Sequence, residues 1–175
     1  MKKLIFTLLL GAVTMTGTFA KTAVVYFSAT GTTERMAKGT AEAMGADIIE
    51  IVPVHKYTDA DLNWHDKKSL TTIECNDPKC RPEIANKIDI SGYDTVVLCY
   101  PIWWAYAPKI IYTFAESQKW NGKKLITLCT SGGSGLGRSG SDLAKYAKGA
   151  EFKGGKDFTG RSGGDVKKYV DGLLK

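Results

Sequence analysis

Short apolar runs that alternate with segments of helical period confine this chain to one class of architecture. Thr22-Ala-Val-Val-Tyr-Phe27 is apolar, β-branched and aromatic, and reads as a buried strand. A polar loop, 28–33, follows it. From Glu34 to Met44, Ala37, Ala41 and Met44 recur at helical spacing, and Gly45 stands where a helix C-cap glycine belongs. Asp47–Val52 predicts a second strand, Asp94–Tyr100 a third and Lys124–Cys129 a fourth. Pro108 suits the first position of a helix running to about Gln118, and a helix is expected near Ser139–Lys148. A weak fifth strand is expected around Ala150–Lys153. In the last helix Val166, Tyr169, Val170, Leu173 and Leu174 share one face. Strands separated by helices imply a parallel sheet covered on both faces. Ligands on such sheets bind outside the carboxyl ends of the strands, at the switch point in strand order. Three unusual loops, 28–33, 101–107 and 130–137, each follow a strand and therefore converge on one rim.

Two stretches interrupt the pattern. Residues 53–82 have no clean period and contain Pro53, Pro78 and Pro82, so they predict a long irregular excursion with one helical turn. Pro82-Glu83 opens an expected short helix through Ile88. Eleven glycines lie between Gly132 and Gly164, so that third of the chain reads as rich in loops.

The first twenty residues stand apart. Lys2 and Lys3 precede a mostly apolar stretch from Leu4 to Met15, and Thr18-Phe19-Ala20 offers small residues before a cut. This is the layout of a secretory signal peptide, 1–20, cleaved after about Ala20, with one domain over 21–175. The alternatives are an uncleaved anchor and a core helix. The stretch falls short of the roughly 20 residues that a spanning helix needs, so no stable membrane span is expected after cleavage. Cleavage leaves 155 residues and, by removing two lysines, takes the net charge from +6 to +4. With 43% hydrophobic and 24% charged residues the composition is that of a globular protein. No run of four Lys or Arg occurs, so nucleic acid is not an expected partner.

Ser28-Ala29-Thr30-Gly31-Thr32-Thr33 places four hydroxyls and one glycine between a strand and a helix N-terminus. Free N–H groups and a partial positive charge there suit a phosphate, bound without Lys or Arg. The plainer reading is N-capping by Thr32 or Thr33. The P-loop pattern G-x-x-x-x-G-K-[ST] does not occur.

At this point the residues resemble a family. Val24-Val-Tyr-Phe27 followed by Ser28–Thr33 and Ala37 resembles the FMN-phosphate loop of flavodoxins. Tyr100-Pro-Ile-Trp-Trp104 resembles the second flavin loop of a bacterial flavodoxin-like subgroup, and Cys129-Thr-Ser-Gly-Gly-Ser-Gly-Leu-Gly137 resembles its third. The order and spacing agree, so the resemblance covers nearly all of 22–174. It implies a flavodoxin-like three-layer α/β fold, a doubly wound five-stranded parallel sheet of order 2-1-3-4-5, with FMN at the switch point.

The resemblance also implies roles. Pro101, Ile102, Trp103, Trp104 and Ala105 would meet the flavin ring, with one Trp stacking on it and the other packing into the domain. Thr130, Ser131, Gly132, Gly133 and Gly135 would line the other side and offer backbone N–H groups. Gly135-Leu-Gly-Arg-Ser-Gly140 matches G-x-G-x-x-G, and a dinucleotide reading would use Asp157 for the ribose, but the match lies on a late strand–helix unit with a poor following strand.

Other residues read more plainly. Cys75 and Cys80 flank four residues and suit either a disulfide or free thiols; Cys99 and Cys129 end apolar strands and read as packing. No metal site is expected, and His55 and His65 lack a nucleophile partner. Asp61-Leu-Asn-Trp64 is a candidate to fold over the rim. The functional expectation is an exported FMN-binding carrier of electrons, with redox proteins or small-molecule acceptors as partners. The alternatives are an NAD(P)H-dependent quinone or flavin reductase, and FMN storage or delivery.

Overall fold

The computed structural model describes residues 20–175, so the expected signal peptide falls almost wholly outside the described residues. Ten elements follow in the order β1 (Thr22–Tyr26), α1 (Thr32–Met44), β2 (Asp47–Glu50), α2 (Leu70–Asn76), β3 (Thr95–Pro101), α3 (Lys109–Ser117), β4 (Lys124–Thr130), α4 (Ser139–Ala144), β5 (Glu151–Asp157) and α5 (Gly163–Leu174). The five strands form one parallel sheet of order β2-β1-β3-β4-β5, as expected. The order reverses direction between β1 and β3, which puts the switch point at their carboxyl ends.

The core has two layers because the strands are buried on both faces. On one face Val25, Phe27, Leu98, Tyr100 and Leu125 meet Ile110, Ile111 and Phe114 of α3. On the other Val24, Val97, Ile126 and Leu128 meet Ala37 and Ala41 of α1 and Val166 and Val170 of α5. Cys99 and Cys129 are fully buried packing residues, as their place at strand ends predicts. Gly45 caps α1 in the left-handed conformation.

Five expectations change. The segment after Pro82 is not a helix: Ile84 bridges Pro53 antiparallel, and the Asn86 side chain binds the Glu50 carbonyl and the Val52 N–H. Those bonds extend the chain beside the end of β2, which Pro82 cannot override. The excursion holds two helical turns rather than one, in α2. Pro108 is the N-cap of α3 rather than its first residue, and α4 ends at Ala144. The fifth strand is longer than expected and runs through Gly154 and Gly155. A Cβ on Gly155 would lie 2.1 Å from Thr127 Oγ1 and 2.5 Å from the Thr127 carbonyl oxygen. Glycine at 155 thus serves close strand approach, not a loop.

Candidate functional site

The three loops do meet at one rim, and hydrogen bonds tie them together. The hydroxyls of Thr33 and Thr130 bond at 2.7 Å, buried, and joining the first loop to the third. The Ile102 N–H donates to the Thr130 carbonyl at 2.8 Å, joining the second to the third. Thr130 is therefore the knot of the rim: it is buried, and its side chain and carbonyl are both engaged.

In the first loop, Gly31 takes φ 83° and starts α1 without any side-chain cap. This corrects the expected capping by Thr32 or Thr33: Thr33 is buried on Thr130, and Thr32 is exposed. Ser28 Oγ accepts from the Gly31 N–H at 3.1 Å and closes the turn. The hydroxyls of Thr30 and Thr32 remain on the exposed side, beside the first-turn N–H groups of α1, which no helix can satisfy internally. Charges of both signs on α1 stand beside the loop. Arg35 Nη1 and Glu34 Oε2 both lie 4.0 Å from where a Gly31 side chain would begin. A charge one helical turn into α1 is legible only once the helix is known.

The second loop is a two-residue turn. Trp103 and Tyr106 exchange both backbone hydrogen bonds at 2.9 Å, and Trp104 and Ala105 between them have φ of 48° and 65°. Two positive φ values define a type I′ turn, which ordinarily takes Asn-Gly. Non-glycine residues in this region are strained, and such strain gathers at functional sites. Both tryptophans line the rim, with different neighbours. Trp103 packs edge-on against Phe27 at 5.7 Å and Tyr57 at 5.3 Å, on the edge of the core. Trp104 stands next to it along the cleft. Tyr57 is in turn held by the buried Glu74, whose oxygens accept its hydroxyl at 2.9 and 3.2 Å. Burial pushes the Glu74 carboxyl above its usual range, against the opposing pull of the Tyr57 bond.

In the third loop, Ser131 organises the glycines. Its hydroxyl donates to Asp157 at 2.6 Å and accepts from Gly135 N–H at 3.0 Å and Gly133 N–H at 3.3 Å. The amides of Gly133 and Gly135, expected to face a ligand, are spent on this turn; Gly132 is exposed. Burial raises the Asp157 carboxyl, but bonds from Ser131 and Thr159 outweigh it and hold the group below its usual range. Asp157 is therefore a loop anchor, and Gly140 is packed inside α4, where a Cβ would lie 2.3 Å from Thr127 Oγ1. Within the glycine match at 135–140, packing accounts for Gly140, and left-handed φ values of 69° and 53° account for Gly135 and Gly137.

A cleft of about 360 Å³ opens at this rim, lined by Thr30, Leu62, Trp64, Thr71, Ile102, Trp103 and Trp104. It joins the first and second loops; the third loop borders the rim without lining the cleft. The excursion supplies a wall, as expected for Asp61–Trp64, and Trp64 is strongly exposed there. Thr71 was not foreseen. It lies buried on α2, with its hydroxyl on the Asp61 carbonyl at 2.6 Å. The remaining candidates settle simply. Cys75 and Cys80 are free thiols, His55 bonds Asp61 at 3.0 Å, and His65 stacks on Trp64. Among the described residues no group of side chains could hold a metal ion, and no helix is long and apolar enough to cross a membrane.

Comparison with known proteins agrees with this geometry. A flavodoxin family model matches residues 21–173. A protein of Bacteroides eggerthii DSM 20697 assigned as a flavoprotein is 40% identical over 90% of this chain and 99% of its own, with a TM-score of 0.85. One of Bacteroides uniformis ATCC 8492 is 43% identical over 87% and 98%, with a TM-score of 0.82. A flavoprotein of Lactobacillus acidophilus NCFM, solved in complex with FMN, shares the fold at 24% identity over 87% and 99%, with a TM-score of 0.65. No curated protein matches the chain. Strand order, rim geometry and a family match that spans nearly all the described residues lead to one assignment: this chain belongs to the flavodoxin family.

Proposed function

We propose that this chain is an exported electron carrier that binds FMN non-covalently at the rim between β1 and β3. The observation that carries the reading is the cleft joining the hydroxyl-bearing loop at Thr30 to the indoles of Trp103 and Trp104. FMN has a phosphate at one end and a flat amphipathic ring at the other, and the donor set suits both. Thr30, Thr32 and the N–H groups opening α1 would hold the phosphate, with Arg35 nearby. Trp104 and the exposed Trp64 would present faces to the ring, while Trp103 and Leu62 exclude water. Bound FMN accepts and donates electrons, and its chemistry asks the protein for no general base. The Lactobacillus flavoprotein in complex with FMN supports the same choice of cofactor. Export rests on the charge and hydropathy pattern of residues 1–20. Partners would be redox proteins or small-molecule acceptors.

The test is direct. FMN added to the purified chain is expected to give a shifted visible spectrum and quenched flavin fluorescence that survive dialysis. Free, unquenched flavin after dialysis would refute the reading. Rapid NAD(P)H oxidation by the FMN-loaded chain alone, without a reductase, would instead make it an enzyme.

A further inference from the structure

The turn at 103–106 has two sides. Trp103 and Trp104 line the cleft described above; Tyr106 points into a second one, also about 360 Å³. The helix α2 is likewise shared, giving Thr71 to the first cleft and Cys75 and Asn76 to the second. A cleft of that volume is the size of a small-molecule site.

Three of its nine lining residues are tyrosines. Tyr106 is exposed on one side, and Tyr112 and Tyr146 meet edge-to-face at 4.9 Å on the other. Its charges mostly cancel. Lys145 Nζ binds Asp142 at 2.7 Å. Arg81 backs the rings of Tyr112 and Tyr146 at 5.6 and 5.4 Å and is held by Glu116 at 2.8 Å. One lining cation has no carboxylate partner among the described residues: Lys109, whose Nζ lies 5.5 Å from the Tyr112 ring centroid. Lys109 is also the first residue of the nine-residue α3, so the helix adds its own partial positive charge at the same place.

We infer that this second cleft binds a small planar aromatic molecule carrying one negative charge. The ring lies among Tyr106, Tyr112 and Tyr146, and the anionic group reaches Lys109 and the start of α3. The exposed Asn76 supplies a polar edge. An aromatic lining selects flat rings, and a single unpaired cation selects a monoanion over a neutral analogue. The inference does not require the neighbouring cleft to hold FMN.

Titrating the isotope-labelled full chain with 1-naphthoate, and separately with neutral 1-naphthol, tests it by amide NMR shifts. Naphthoate is expected to give saturable shifts over 75–78, 106–112 and 142–146, and to bind about fivefold tighter than naphthol. Lys109→Gln is expected to abolish that preference and Lys109→Arg to keep it, while Tyr106→Ala weakens both probes. No saturable shifts, shifts centred on Thr30, Leu62 and Trp64, or a preference unchanged in Lys109→Gln would overturn the inference. FMN titrated in separate samples reports on the first cleft independently, so failure there leaves this result readable.

Discussion

At the scale of single residues, the second loop concentrates the most specific consequences. Both tryptophans line the cleft, but Trp103 also packs against Phe27 and Tyr57 at the edge of the core. Trp103→Ala is expected to cost about 2–3 kcal/mol in urea unfolding, since it opens space against Phe27 and Tyr57. Trp104→Ala is expected to leave the unfolding midpoint nearly unchanged and weaken FMN binding at least tenfold by fluorescence titration. Equal effects of both on stability would contradict this division. Ala105 is exposed with φ 65°, so its methyl is a liability without a packing return. Ala105→Gly should raise stability by up to about 1 kcal/mol, read as a higher melting temperature, because the left-handed conformation penalises a Cβ. The tandem Trp was visible in the sequence as a cluster of flat faces; which of them turned inward was not. That choice depends on Tyr57, 46 residues earlier in the chain, and on the turn that only the folded backbone displays.

At the scale of elements, the glycine-rich third is where sequence and structure part most. Glycine lacks a side chain, so strand and loop look alike in a window of sequence. At 155 the reason for glycine is steric and comes from the neighbouring strand. Gly155→Ala drives a Cβ into Thr127 and is expected to destabilise by about 3 kcal/mol in urea unfolding. Gly132→Ala, with open space around it and no positive φ, should stay within about 0.5 kcal/mol. Similar losses at both sites would mean that β5 yields to accommodate a methyl. The helices were more legible. The face Val166, Tyr169, Val170, Leu173 and Leu174 is the one that α5 turns to the core. Periodicity within one element reports burial directly, whereas the Pro53–Ile84 bridge pairs residues 31 positions apart and leaves no local trace.

At the scale of the whole molecule, carboxylates set the response to acid. Asp47, Asp61, Asp89, Glu116, Asp142, Asp157 and Asp165 are held below their usual range by hydrogen bonds or cations, and Glu74 is raised by burial. A lowered folded-state value contributes stability above the unfolded value and loses it as pH falls through the folded one. Asp61 is pushed down to about 2, first by the Thr58 N–H, then by His55 and the Thr58 hydroxyl. The urea midpoint is therefore expected to fall steadily from about pH 5 to pH 2, and Asp61→Asn to flatten part of that fall. Glu74 works in the opposite sense. Its stabilisation is present at low pH and is lost as pH rises through its raised value, so Glu74→Gln should remove a decline on the alkaline side of the carboxylate range. A midpoint independent of pH in the parent chain would refute both.

The sequence by itself determined the alternation of strands and helices, the parallel sheet, the convergence of three loops on one rim and, through their motifs, the flavodoxin resemblance. Each of these follows from local apolar period or from a contiguous run of residues. Only the tertiary structure decided that Thr33 turns inward to Thr130, that the Ser131 hydroxyl, itself bound to Asp157, takes the amides of Gly133 and Gly135, and that Trp103 packs on Phe27 and Tyr57 as well as lining the cleft. It also decided that Thr71, Leu62 and Trp64 of the excursion complete the cleft. These outcomes depend on which hydrogen-bond partner or void arrives from a distant segment. A hydroxyl or an amide is chemically free in the sequence, and it is committed only when another element is brought within about 3 Å of it.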